Sequence, residues 1–310
     1  MKIEICNTLS LLLKSSDLSP QARETIWQER IVASFKPMLQ MLHMDFSAMG
    51  ACDLSTSSDE TETALDVLKK HQIVERIQTA LEKAFRILQK HGDFPFPETL
   101  KVGVFVSNGK NVFHEKLNHG FSGFGGIPGF IVLILSPTEY VLKNIEALVV
   151  HEFHHNIRNA IEPWPKDMNI SVGEYLLVEG MAEAFAAELY GEESVGPQTI
   201  GLVGAELEKA KQTILPHIEE RGFQTAQSYL FGDAFADTFG YPKRGLPHGS
   251  GYAVGYRLVK DYLAKTGKNI FAATQESSEQ ILNEMAPPVQ KSPSSISISD
   301  SDSFSICKSQ

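Results

Sequence analysis

Residues 147–159 read ALVVHEFHHNIRN and place three histidines and one glutamate within five positions. His151, Glu152 and His155 spell H-E-x-x-H, and residues four apart lie on one face of an α-helix. The two histidines can therefore bind one Zn²⁺ ion, which accepts neutral imidazole nitrogens and keeps one coordination position for water in catalytic sites. Glu152 lies about 100° round the helix, within reach of such a water, and we expect it to act as general base.

The residues around the motif favour a packed helix. Ala147 to Val150 are apolar, so the two histidines need partners inside the fold, and a metal ion supplies them. His154 lies one position off the face that His151 and His155 share. We expect it to be exposed to solvent or to support the site from outside rather than to bind the metal.

Candidates for a third protein ligand come from residues 176–191, which read LLVEGMAEAFAAELYG. Glu179 and Glu183 are four apart, hence on one helical face among alanines and leucines, whereas Glu188 lies off that face. Like charges at this spacing destabilise a helix, and more so when they are half-buried. A zinc ion for one carboxylate and the N–H of a ligand histidine for the other would offset the repulsion. The alternative, an exposed acidic face, fits the apolar neighbours less well.

The rest of the chain predicts an α+β fold that is mostly helical, with a small sheet ahead of the histidine motif. Short helices are expected within residues 1–50, followed by one long amphipathic helix that ends near Gln89. Apolar runs predict two strands, at 100–108 and 130–136, joined through a glycine-rich loop at 120–129. Later helices are predicted over 138–160, 171–190 (opened by a Ser171/Glu174 capping box), parts of 197–222, and 252–265.

Three regions are predicted from these patterns. Residues 1–94 form a helical region that packs on a core of residues 95–285, and the serine-rich residues 286–310 form a disordered tail.

Composition excludes several classes of function. The formal net charge of −10 and the lack of a basic stripe argue against a nucleic-acid partner. The longest apolar run, Phe130 to Leu135, is too short to cross a membrane. The N-terminus is a poor signal peptide, and three cysteines lie far apart without a disulfide pattern. We therefore expect a cytoplasmic protein.

The two motifs together resemble the gluzincin metallopeptidases, in which H-E-x-x-H is followed by E-G-x-A-E. That resemblance implies a zincin-like core in which Glu179 is the third zinc ligand and Glu183 supports the other ring nitrogen of His151. The spacing from His155 to Glu179 is longer here than in the thermolysin and aminopeptidase groups, so the connecting loop must differ.

A closer resemblance is to the YjaZ-like family of predicted Zn-dependent proteases, a domain of unknown function. It covers roughly residues 95–270 and is carried by GGIPGFIVLILSP, HEFHH, VEGMAEAFA and GYAVGYRLV. It implies a zinc cofactor and a peptide or protein substrate.

The gluzincin resemblance also implies a tyrosine or histidine that stabilises the oxyanion of the reaction. His248 and Tyr252, in the stretch PHGSGYAVGYRLV, are the candidates. Each could equally be a loop histidine or a core aromatic residue. Likewise, residues 130–136 could form the edge strand that aligns a substrate, as in gluzincins, or a buried core strand.

The sequence thus predicts a zinc-dependent peptidase. The main alternative is a zinc-binding regulatory or interaction protein without peptidase activity. Two others are a metal-dependent hydrolase of non-peptide substrates and a helical interaction protein whose histidines are incidental.

Overall fold

The computed structural model describes residues 1–9, 11, 18–52, 59–111 and 113–285. Most of these residues are helical, and four strands form one small sheet. The predicted mostly helical α+β class is therefore confirmed. Within this part of the chain, no helix is long and apolar enough to cross a membrane.

The sheet contains β1 (Lys2–Asn7), β2 (Thr99–Val106), β3 (Phe121–Ile127) and β4 (Phe130–Leu135), in the order β1-β2-β4-β3. β1, β2 and β4 are parallel, and β3 runs antiparallel to β4. β4 is thus an interior strand with five of its six residues buried. Of the two interpretations of residues 130–136, the buried core strand is correct, and β3 takes the edge.

Helices surround this sheet. Those of the described residues are α1 (Pro20–Ile26), α2 (Ala33–Leu42), α3 (Asp59–Lys70), α4 (Ile73–His91), α5 (Glu139–Ile161), α6 (Val172–Tyr190), α7 (Pro197–Ile200), α8 (Gly204–Ile214), α9 (Phe223–Phe231), α10 (Asp233–Phe239), α11 (Ser250–Thr266), α12 (Ile270–Thr274) and α13 (Ser278–Met285). Short π-helical and 3₁₀ segments occur at Trp27–Val32, Phe113–Leu117, Glu192–Ser194 and Leu215–His217.

Local capping sets the start of the two helices that carry the motifs. The Thr138 hydroxyl accepts a hydrogen bond from the backbone N–H of Val141 at 3.2 Å and begins α5. At the start of α6, the Ser171 hydroxyl accepts from the N–H of Glu174, whose carboxylate accepts from the N–H of Ser171. These caps satisfy backbone donors that a helix end otherwise leaves unpaired. Both helices lie within a residue of their predicted boundaries.

The N-terminal residues differ from the prediction. The short helices predicted within residues 1–50 occur as α1 and α2, but Lys2–Asn7 form β1, which pairs with β2 along its whole length. Ile3 and Ile5 alternate with charged residues, a period of two that is typical of a strand. The distant partner strand supplies the backbone hydrogen bonds, so the chain adopts the extended conformation.

The long helix predicted to end near Gln89 is two helices, α3 and α4. The break lies at Gln72, whose φ of +52° belongs to the left-handed region and ends helical hydrogen bonding. Leu68 and Ile73, the apolar residues on either side, are five positions apart. In one continuous helix, a step of five residues would place Ile73 about 140° round the axis from Leu68. Two separate helices can each bury their own apolar stripe.

The glycine-rich segment 120–129 is not the predicted loop, because most of it forms the edge strand β3. Glycine is required there because β3 lies directly against α5. A Cβ atom on Gly123 would come within 2.1 Å of Glu152 Oε1, and one on Gly125 within 2.0 Å of the Glu152 carbonyl oxygen. A strand with ordinary side chains at these two positions could not approach the helix so closely.

Asn156 of α5 forms hydrogen bonds with the backbone at the turn between β3 and β4. Its side-chain amide donates to the carbonyl oxygens of Gly125 and Phe130, at 2.7 and 2.8 Å, and accepts from the N–H of Gly129 at 2.6 Å. The pairing of β3 with β4 shifts register at this point. The asparagine therefore satisfies backbone groups that the irregular pairing leaves available.

The hydrophobic core is shared between the predicted regions. One cluster joins buried side chains of α2 and α4 with those of the sheet and α5, across the boundary predicted between residues 94 and 95. The division into 1–94 and 95–285 stays a prediction. The serine-rich residues 286–310 lie outside the described residues.

Gly125→Ala should lower the free energy of unfolding by about 1–3 kcal/mol, because the added methyl group meets backbone rather than a movable side chain. Gly126→Ala in the same strand is the matched control. Its Cβ would lie 3.2 Å from the ring of Phe124, which can move. Urea unfolding of the two variants measures the difference. Equal effects would contradict the close packing of β3 on α5.

Candidate metal centre

The side chains of both predicted motifs meet between α5 and α6. His151 Nε2 and His155 Nε2, both from α5, lie 3.0 Å apart. Glu179 Oε2, from α6, lies 3.3 Å from each of these two nitrogens. The three potential ligand atoms therefore form one small triangle, although Glu179 follows His155 by 24 positions in the sequence.

The dimensions of this triangle fit a zinc ion. Tetrahedral bonds of about 2.0–2.1 Å separate neighbouring ligand atoms by about 3.3 Å, close to the spacing observed. Within the described residues, Glu179 Oε2 is buried without a hydrogen bond of good geometry, although two imidazole nitrogens face it. A cation bound between the three atoms would satisfy all of them at once.

Electrostatics at the site also favour a cation. Glu152, Glu179 and Glu183 are each at most 7% exposed, so three carboxylates are buried close together. Burial opposes ionisation of Glu179, yet the facing imidazoles of His155 and His151 lower its pKa to about 2. Burial would lower the pKa of His151, but Glu179 and the neighbouring carboxylates raise it to about 9. Without a metal, the site thus takes up positive charge as a proton on His151.

Glu152 follows the ligand His151 on α5 and packs against Gly123 of β3. Burial raises the pKa of its carboxyl group above the usual range, partly opposed by His151 and His155. Glu152 and His151 both line a cleft of about 280 Å³. The carboxylate is therefore next to the candidate ligands and in contact with a space that a substrate can enter.

Glu183 lies one turn beyond Glu179 on α6, on the outer side of His151. Its Oε1 is 3.9 Å from His151 Nδ1, longer than a hydrogen bond but within ion-pair range. The N–H of Gly196 and the hydroxyl of Thr199 both donate to this carboxylate at 3.1 Å. The segment at α7 thus fixes the carboxylate beside the ring nitrogen that does not face the metal triangle.

Two neighbouring residues lie outside the triangle. His154 is fully buried, with its Nε2 3.0 Å from the hydroxyl of Thr274, and burial lowers its pKa well below the usual value. It is therefore a neutral core histidine, and the exposed position considered for it is wrong. Glu188 is exposed on α6, as its spacing predicts.

The two residues considered as oxyanion donors also lie at the cleft. His248 and Tyr252 both line it, together with His151 and Glu152. Tyr252 is at the start of α11, and burial raises the pKa of its hydroxyl well above the usual value, with a further contribution from Glu179. His248 lies close to the carbonyl oxygen of Phe231, with its Nδ1 at 3.2 Å. Their catalytic roles stay predictions.

Tyr252 is positioned by the close crossing of α6 and α11. A Cβ on Gly180 would lie 2.3 Å from the carbonyl group of Gly255, and one on Gly255 would lie 2.2 Å from that of Leu176. The two glycines let the helix backbones touch, which places the first turn of α11 beside the metal triangle.

Several residues that line the cleft were not identified from the sequence. They are Phe121, Ser122, Tyr140, Phe231, Phe235 and Phe239. Tyr140 could have been identified, because it lies eleven residues before His151, three turns away on the same helical face. Ser122 could not, since it belongs to the strand predicted as a loop. Its hydroxyl is 2.7 Å from Nδ1 of the buried His114.

Two helices that present a pair of histidines and a glutamate to one point form a candidate metal-binding site. Comparison with known proteins agrees: the family described as "Predicted Zn-dependent protease (DUF2268)" matches residues 73–283. The chain belongs to this family, which confirms the resemblance to predicted Zn-dependent proteases. The match begins at α4 and reaches α13, further in both directions than the sequence motifs.

One similar protein is the "Uncharacterized protein YjfC" of Bacillus subtilis (strain 168). It is 28% identical over 298 residues, which cover 92% of this chain and 98% of the relative. No solved structure matches the chain.

The purified protein should bind about one zinc ion per chain, and His155→Ala or Glu179→Ala should lower the affinity severely by removing a ligand. Glu183→Ala should weaken binding by about 10- to 100-fold, because it removes only a group that supports a ligand. The exposed Glu188→Ala is the matched control and should change nothing. Elemental analysis and competition with a chelator measure the series. Similar zinc affinities in all four variants would contradict the proposed site. Loss of zinc in Glu183→Ala but not in Glu179→Ala would make Glu183 the ligand and Glu179 the supporting residue.

Proposed function

We propose that the protein is a zinc-dependent peptidase with a zincin-like catalytic core. The observation that carries the proposal is the triangle of His151, His155 and Glu179, which lies beside a buried glutamate at the wall of a cleft. The family description supports the same reaction class. In this proposal the three residues hold the ion, and Glu183 orients His151 through the ring nitrogen on the opposite side.

Each residue has a separate part in the proposed reaction. A bound zinc ion would supply Lewis-acid chemistry, activating a water and polarising the carbonyl of the bond to be cleaved. Glu152 takes the proton from that water and later delivers it to the leaving amine. Glu152 lies against Gly123 of β3 and lines the cleft, where it can reach a substrate bound there.

The edge strand β3 is the proposed support for the peptide backbone. It pairs with β4 on one side, and in the described part of the chain no strand pairs with its other side. An extended peptide can add to such an edge through main-chain hydrogen bonds. Because Gly123 contacts Glu152, a peptide bound along β3 would lie next to the catalytic carboxylate.

Tyr252 and His248 are the proposed donors to the oxyanion. Both line the cleft, and the raised pKa of Tyr252 keeps its hydroxyl protonated and able to donate. Donors fixed near a developing negative charge stabilise the transition state more than the ground state.

Glu152→Gln should retain zinc and lose hydrolysis by about 10²- to 10⁴-fold, because the amide leaves the metal ligands intact but cannot accept the proton. Cleavage of a mixed peptide library by the zinc-loaded protein, followed by mass spectrometry, measures the change. The matched control is Glu188→Gln, an exposed glutamate on α6.

Two outcomes would contradict this proposal. Hydrolysis that survives Glu152→Gln would exclude the general-base role. Zinc bound at full stoichiometry without cleavage of any peptide by the wild-type protein would favour a zinc-binding regulatory protein.

A further inference from the structure

Three phenylalanines form a row of ring contacts along one wall of the cleft, which we name the aromatic ladder: Phe231, Phe235 and Phe239. The ring centroids of consecutive members lie 4.4 Å apart, with interplanar angles of 25° and 36°. Phe231 ends α9, and the other two lie on α10, so the row passes from one helix to the next. Contacts between aromatic rings add to the stability gained by burying apolar surface.

The ladder runs from Tyr252, inside the cleft, to the solvent. At its inner end, the ring of Phe231 lies 5.8 Å from that of Tyr252. At its outer end, Phe239 is 54% exposed. All three rings line the same cleft as His151 and Glu152. An apolar surface therefore continues from the site of the proposed reaction to the mouth of the cleft.

Residues 241–245 contact the helix that carries two of the three rings. Asp233, at the start of α10, accepts hydrogen bonds from the N–H groups of Arg244 and Gly245 at 2.7 and 3.0 Å. The ring of Tyr241 packs against Phe235 and Phe239, with centroids 5.9 and 6.1 Å away. A rigid apolar surface binds a ligand without first losing its own conformational freedom.

A further aromatic side chain lines the cleft from β3. Phe121 is the first residue of this edge strand, which we propose as the support for the peptide backbone. The cleft therefore combines an apolar wall for a side chain with a strand edge for main-chain groups. Neither the metal triangle nor the proton transfer at Glu152 uses the ladder.

We propose that the aromatic ladder is a specificity site, which binds one aromatic or long aliphatic side chain of the peptide close to the bond to be cleaved. The occupant follows from chemistry and position: stacked phenylalanine rings favour an apolar or aromatic group, and the ladder shares its cleft with the reacting groups. This inference rests on the proposed peptidase function and names its substrate class, peptides with a large apolar residue beside the cleaved bond.

Peptide binding tests the ladder without requiring cleavage. Peptides blocked at both ends, identical except for a central Phe, Leu, Gly or Asp, are titrated into the zinc-loaded Glu152→Gln protein. We expect the Phe and Leu peptides to bind about 10-fold more tightly than the Gly peptide, and Asp no better than Gly. Adding Phe239→Ala should reduce this preference about 3- to 10-fold, whereas Phe239→Leu should keep most of it.

The control for Phe239→Ala is Met41→Ala, which truncates an apolar side chain that is 68% exposed on α2 and should leave the preference unchanged. Thermal unfolding of each variant checks that the fold is intact. Equal binding of all four peptides, no binding of any, or a preference that survives Phe239→Ala would each overturn the inference.

Hydrolysis of the same peptides by the wild-type protein separates the two proposals. Apolar preference in binding without any cleavage keeps the ladder as a binding site and rejects the peptidase. Cleavage without apolar preference keeps the peptidase and rejects the ladder.

Discussion

Burial of three carboxylates around α5, where α6 and β3 pack against it, is the constraint on which this structure depends. Glu152, Glu179 and Glu183 are almost completely removed from solvent, where negative charges are stable only with a positive partner. The imidazoles of His151 and His155 are two groups facing three carboxylates, so they balance the negative charge only in part. The lowered pKa of Glu179 and the raised pKa of His151 both result from this close pairing of carboxylates with imidazoles. One divalent cation would balance more of the negative charge.

The remaining architecture brings a strand and a third helix close to this charge. Gly125 lets the edge strand β3 touch the backbone of α5, and Gly123 makes room for the Glu152 side chain. Gly180 and Gly255 likewise let α11 touch α6. Close approach on both sides shapes the cleft, since one contact places a strand edge beside Glu152 and the other places Tyr252 beside the ligands. The proposed catalytic arrangement thus follows from backbone contacts that only glycine allows.

Local signals in the sequence predicted the helices that carry the ligands and the grouping of the candidate ligands themselves. The motif spacing of four is a property of one helix, and the Ser171/Glu174 box sets the start of the other. The sequence could not show that segment 120–129 is a strand, because glycines usually interrupt strands and their reason here is a contact with a distant helix. Likewise, β1 depends on a partner strand more than ninety residues away. The aromatic ladder spans two short helices that the apolar spacing did not predict.

Anomalous diffraction at the zinc absorption edge, from crystals of the protein grown with zinc, tests the central claim most directly. We expect one strong peak at about 2.0–2.1 Å from His151 Nε2, His155 Nε2 and a carboxylate oxygen of Glu179. A peak bound elsewhere, or an intact triangle with no peak between its three atoms at saturating zinc, would contradict it.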